Sequence, residues 1–160
     1  FKFGWRAVQA MGVERAGVED LVQEVFIAAG RKLLTFDGER SERAWLLGIT
    51  RRSVLQHRRT TARYRRRLQA VDPPDPPRQP DEQLRRSRSA ELLHVFLEGL
   101  DPAVRVSFVM SDLEGLTGRE IAASLGIPLQ THYSRVRSAR KRFDAFVGSL
   151  HHGDRSHGEG

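Results

Sequence analysis

The chain is 160 residues long and carries a net charge of +7, from 27 basic and 20 acidic residues, enough for one ordinary domain or two small ones. It has no cysteine, which excludes disulfides and thiolate metal sites and fits a reducing cytoplasm. No apolar run approaches the roughly 20 residues needed to span a bilayer, so no membrane is expected among its partners.

The sequence opens at Phe1, without a methionine, inside what reads as a helix over 1–11. That start suggests a fragment lacking its natural N-terminus, and no signal peptide can be read from it. Gly12 suits the C-cap of this first helix. Val18, Leu21, Val22, Val25, Phe26, Ala29 and Leu33 then keep the i, i+3, i+4 rhythm of an amphipathic helix, with Glu19, Asp20, Gln23 and Glu24 largely off the apolar stripe. Residues 35–40 read as a turn, and Ser41 with Glu42 opens a long helix running to about Arg67.

That long helix begins with an apolar knot, Trp45-Leu46-Leu47-Gly48-Ile49, and then carries eight arginines between 51 and 67 (51, 52, 58, 59, 63, 65, 66, 67) with no acidic residue. The planar, permanently charged guanidinium matches phosphate oxygens. Eight like charges repel, so the density predicts a polyanion nearby, and the local excess of charge points to a nucleic-acid face.

Between Val71 and Pro80 there are five prolines in ten residues. Each fixes φ and removes a donor, which excludes helix and central strand, so a semi-extended linker is predicted over 69–86. It separates a helical domain over 1–68 from a second over 87–147, followed by a flexible tail over 148–160. In the second, Leu92, Leu93, Phe96 and Leu100 form one stripe, and Asp101-Pro102 restarts a helix with proline in its first turn. Thr117 and Glu120 have capping-box spacing. Glu120 to Thr131 has the grammar of a helix-turn-helix: small Ala122 at the crossing, Gly126 at the turn, Ile127 as a plug, then a helix from about Leu129 to Val147. The second helix of such a motif enters the major groove with its N-terminal side chains at the base edges. Those are Gln130, Thr131, His132, Tyr133, Ser134, Arg135 and Ser138, with Arg137, Arg140, Lys141 and Arg142 placed for phosphates. No segment alternates with period two, so the fold class is all-α: two small helical domains joined by a proline-rich linker.

Several motifs appear together and in order: Asp20-Leu-Val-Gln-Glu-Val-Phe26, Thr35-Phe-Asp-Gly38, Arg43-Ala-Trp-Leu46 with Ile49, and Asp112-Leu-Glu-Gly-Leu116 leading into Glu120-Ile-Ala122. Over about 1–147 the chain resembles bacterial RNA polymerase sigma factors of the sigma-70 family, specifically the extracytoplasmic-function (ECF) group. The resemblance implies a region 2 helical bundle that binds core polymerase and melts the minus-10 promoter element, and a region 4 helix-turn-helix that binds the minus-35 element. Asp20, Gln23, Glu24 and Phe26 match the helix that docks on the clamp of the largest catalytic subunit. Phe36 sits in the loop that helps receive a flipped base, where stacking offsets part of the unstacking cost. Arg51, Arg52, Arg58 and Arg59 match the minus-10 contacts, while Gln130, Thr131, Tyr133, Ser134, Arg135, Arg137 and Ser138 fall in the minus-35 reader. Arg52 stands where many relatives have asparagine, and Glu42, Gln130, His132, Tyr133 and Ser138 also depart from the common pattern.

The implied partners are core RNA polymerase, promoter DNA and the anti-sigma factor that such proteins often have, and the implied location is the cytoplasm. No catalytic residue, cofactor or metal is expected. There is no phosphate-cradling glycine loop, and His151, His152 and His157 lack a second ligand cluster. Two other readings remain at this stage. A polymerase-independent helix-turn-helix regulator would have no need of the acidic face at 20–24. A nucleic-acid-processing enzyme would need clustered carboxylates or histidines on ordered elements.

Overall fold

The computed structural model describes residues 1–39, 41–68 and 88–155, the side chains of 68 and 151–155 excepted. The linker expected over 69–86 and the tail histidine side chains lie outside them. Among the described residues there are seven α-helices and no strand: α1 (Lys2–Ala10), α2 (Arg15–Lys32), α3 (Glu42–Leu68), α4 (Arg88–Glu98), α5 (Pro102–Phe108), α6 (Gly118–Leu125) and α7 (Leu129–Arg155). A 3₁₀ turn, Leu33–Thr35, extends α2, and a π-helical turn, Val109–Leu113, extends α5.

Local chemistry sets the boundaries. The backbone passes through Gly12 at φ +80° after α1, a conformation that disfavours any side chain. A Cβ there would also meet Pro102 at 2.8 Å, so the start of α5 lies directly against the end of α1. The Asp101 carboxylate accepts the Ala103 amide at 2.9 Å, and Pro102 occupies the first turn of α5. Thr117 and Glu120 form the full capping box of α6, which ends at Gly126 in the left-handed region. The expected end of the last helix near Val147 is corrected: α7 continues through Arg155, taking in the first eight residues of the expected tail. Phe143, Phe146 and Leu150 keep the i, i+3, i+4 spacing there, and the two phenylalanines pack on the α4 side.

Helices α1, α2 and α3 pack around Val8, Leu21, Val25 and Leu47. In the C-terminal set, Phe96 of α4 contacts Phe108, Phe143 and Phe146 with ring centroids 5.7, 5.1 and 5.6 Å apart. The two sets of helices are not spatially separate. One apolar cluster runs from Val8 and Leu47 through Val109, Met110, Ile121 and Leu125, so α6 lies along the first half of α3.

Candidate nucleic-acid interface

Seven of the nine arginines of α3 fall into two rows by helical geometry, with Arg43 in its first turn and Arg67 in its last outside them. Arg51, Arg58 and Arg65 are seven residues apart, close to two turns, and share one face, whereas Arg52, Arg59 and Arg66 form a parallel row joined by Arg63. The first row has partners within the protein. Arg58 donates to the Met11 carbonyl, and Arg65 pairs with Glu14 at 3.0 Å. Arg51 lies so near the helix-turn-helix that a Cβ on Gly126 would meet its guanidinium at 3.2 Å. The second row, Arg52, Arg59, Arg63 and Arg66, is exposed and makes no hydrogen bond or ion pair with any described residue. These four guanidiniums lie on one exposed face of α3, with exposed Arg67 beside them.

The recognition helix divides in the same way. Gln130, Tyr133, Ser134, Arg137 and Ser138 are exposed and fall on one face of α7, with Lys141 continuing it. Thr131 and Arg135 are half-buried at its edge, and Arg135 shares an apolar cleft with Arg51, Arg58, Met11 and Val106. His132 is corrected from a base-edge position to the core, at 1% exposure. Burial, followed by the nearby Arg135, holds its imidazole pKa below the ordinary value, against the opposing pull of Asp112. Arg140 is also committed internally, through paired bonds of 2.6 and 3.0 Å to the Asp112 carboxylate. Those bonds hold the Asp112 pKa below its usual range. Arg142 donates to the Gly99 carbonyl at 3.1 Å, and among the described residues of that helix Arg137 and Lys141 are exposed cations with no hydrogen bond or ion pair.

Gly118 permits this arrangement, because a Cβ there would stand 2.8 Å from the Tyr133 ring and 3.2 Å from His132. A larger residue at Gly118 would push the Tyr133 ring aside, and buried Ala122 likewise keeps the crossing of α6 and α7 close. The sequence reading missed Gly118, although its place in the first turn of a helix, where glycine is unfavourable, was a signal.

On α2, Asp20, Gln23 and Glu24 are exposed on one face, and Ile27 joins them at 56% exposure. Phe26 is not on that face. Its ring stacks on Phe1 at 5.8 Å and lies against Gly4 of α1. Phe36 is half-buried with its ring 5.2 Å from Trp45, placing it at the mouth of the loop before α3. Among the described residues there is no group of three His, Cys, Asp or Glu side chains placed to hold a metal ion. No helix among them is long and apolar enough to cross a membrane.

The fold and these faces define a helical protein with an arginine-faced helix and a helix-turn-helix. Sigma-70 region 2 matches residues 5–64, and sigma-70 region 4 matches residues 90–143. The RNA polymerase sigma factor CnrH of Cupriavidus metallidurans is 30% identical over 159 residues, covering 89% of this chain and 79% of that protein. The ECF RNA polymerase sigma factor SigE of Mycolicibacterium smegmatis is 31% identical over 151 residues, and the match spans 89% of this chain but only 56% of SigE. Among solved structures, the sigma factor RpoE of Bartonella quintana, in complex with the anti-sigma factor NepR, shares the fold. Its TM-score is 0.71 at 21% identity, over 91% of this chain and 89% of that one. CnrH in complex with the cytosolic domain of CnrY gives a TM-score of 0.58 at 25% identity, over 92% of this chain and 81% of that one. The chain belongs to the sigma-70 family of RNA polymerase sigma factors, in its extracytoplasmic-function group.

Proposed function

We propose that this chain recruits core RNA polymerase to selected promoters and acts by binding alone, with no chemistry of its own. The observation that carries this reading is the pairing of two outward faces within one sigma-family chain: the free row Arg52–Arg59–Arg63–Arg66 on α3, and Gln130–Tyr133–Ser134–Arg137–Ser138 on α7. The α3 row holds the backbone around the minus-10 element while Phe36 receives an unstacked base, and the α7 face reads the minus-35 element in the major groove. Asp20, Gln23 and Glu24, with Ile27 among them, offer an acidic rim around an apolar centre for docking on polymerase. Its workplace is the cytoplasm, where its polymerase partner acts. RpoE is found with the anti-sigma factor NepR, and CnrH with the cytosolic domain of CnrY; an anti-sigma factor is a natural further partner here.

The distances add a requirement. Elements at minus-10 and minus-35 are about 25 base pairs apart, roughly 85 Å along B-DNA. A compact chain of this length has a radius of gyration of roughly 15 Å. Both elements are therefore within reach only after the C-terminal helices leave α3.

Run-off transcription with purified core enzyme on a genomic promoter pool tests the assignment. Transcripts that depend on this protein are expected. Absence of both core binding and transcript would overturn it.

A further inference from the structure

The contact between the N-terminal helices and the C-terminal set is built around one buried carboxylate. Glu114, in the turn between α5 and α6, has a side chain only 3% exposed. It pairs with Arg6 of α1 and, at 3.7 Å, with Arg43 of α3, and Arg43 also donates to the Glu114 carbonyl at 3.1 Å. Both arginines are more than half exposed, so they reach in from the surface and keep most of their hydration. Two more polar contacts cross the same seam. The Ser124 hydroxyl donates to the Ala44 carbonyl at 2.7 Å, and the Ser41 hydroxyl, ahead of the Thr117 amide, holds the Glu120 carboxyl below its usual pKa.

We propose that Glu114 is an intramolecular latch: with Arg6 and Arg43 it holds α6 closed over α3, and promoter engagement requires its release. In the closed arrangement α6 packs against α3, with Arg51 half-buried beside Gly126 and Arg135 half-buried in the same cleft. That arrangement also keeps α3 and α7 within one compact body. A carboxylate enclosed this deeply is tolerated only while its countercharges are present. An open state, in contrast, returns it to water at no such cost. The three residues therefore set a closed-to-open equilibrium, and apparent promoter affinity scales with the open fraction. The consequence for promoter binding rests on the proposed function; the latch itself does not.

The physics predicts an asymmetry that a purely structural role would not produce. Removing both arginines strands a buried charge, whereas neutralising the carboxylate strands no charge, because the exposed arginines hydrate and the amide costs far less to bury. In small-angle scattering of the full chain without DNA, Arg6→Gln/Arg43→Gln should increase the radius of gyration at unchanged helicity by circular dichroism. Adding Glu114→Gln to that double variant should restore the compact value. A double variant that stays compact, loses helicity, or fails to recover with the third substitution overturns the latch.

The absence of natural cysteine allows a second arm. Ala44→Cys/Ser124→Cys should form a disulfide on mild oxidation, and the bridged protein with core enzyme should bind promoter DNA at least about ten-fold more weakly, with recovery on reduction. Full affinity in the bridged state overturns occlusion, and the scattering result alone decides the closed contact. If no variant supports promoter binding in either redox state, the sigma function fails, while the scattering result still decides the latch.

Discussion

Two faces of one helix carry the same residue type and do different work. Arg51, Arg58 and Arg65 are drawn toward Gly126, the Met11 carbonyl and Glu14, whereas Arg52, Arg59, Arg63 and Arg66 meet nothing within the described protein. The first row is tied to the protein by a carbonyl, the turn at Gly126 and an exposed ion pair, and the second row is the one proposed to meet a phosphate backbone. Counting arginines finds a basic helix; asking which guanidiniums are already committed singles out the face proposed as the interface. The recognition helix repeats the lesson, with Arg137 free and Arg140 held by Asp112.

The largest effect expected from this split comes from the outward row. Substituting Arg52, Arg59, Arg63 and Arg66 together with glutamine should weaken promoter binding by the polymerase complex roughly 100- to 1,000-fold at low salt, since four phosphate contacts and their released counterions are lost. Thermal stability should barely change, because exposed, uncommitted side chains contribute little to it. A competition assay with labelled promoter DNA measures the first effect and a melting curve the second. A variant that melts early but binds normally would reverse the assignment of the two rows.

Next in size, Arg58→Ala should destabilise the protein by about 1 kcal/mol, a fall of roughly 3 °C in Tm, because the Met11 carbonyl loses a charged donor. Its promoter affinity should stay within a few-fold of the parent. On α7 the contrast is smaller: Arg140→Gln should cost about 0.5 kcal/mol, as expected for a largely exposed pair, with little change in DNA affinity. Arg137→Gln should do the opposite, leaving melting unchanged and lowering affinity. A paired melting and binding measurement on each separates the two outcomes.

The smallest effect is a pH dependence. The folded His132 pKa lies below its unfolded value, so the unfolded state takes up the proton first as pH falls. Stability from this site is complete above about pH 6.5 and declines below it. Melting scans between pH 7.5 and 5.5 should show a decline that flattens in His132→Asn. An unchanged slope would place His132 at the surface with the base readers.

Much of the fold was legible because its signals are local. Asp101-Pro102, the Thr117–Glu120 capping box and the left-handed glycines act within a few residues of themselves, and the sequence reading located those boundaries closely. The end of α7 was misjudged because Gly148 and Gly153 look like breakers, while Phe143 and Phe146 continue a stripe whose partner, Phe96, lies about fifty residues away. The site was less legible for the same reason. Heptad spacing sorts the arginines into two rows, but which row turns inward depends on Met11, Glu14 and Gly126. His132 stands among surface residues in the sequence, and only the packing of α6 against α7 takes it inside. Glu114 lies 108 residues from Arg6 and 71 from Arg43, so nothing near it announces an ion pair.

The most direct test compares the salt dependence of promoter binding for two variants, one with the outward row changed to glutamine and one with Arg51, Arg58 and Arg65 changed to glutamine. Each phosphate contact contributes about 0.9 to the slope of log K against log salt concentration. The outward variant should lose about 3–4 units of slope and the inward variant less than about 1. Equal losses, or a larger loss for the inward row, would contradict the division of the helix into a structural face and a nucleic-acid face.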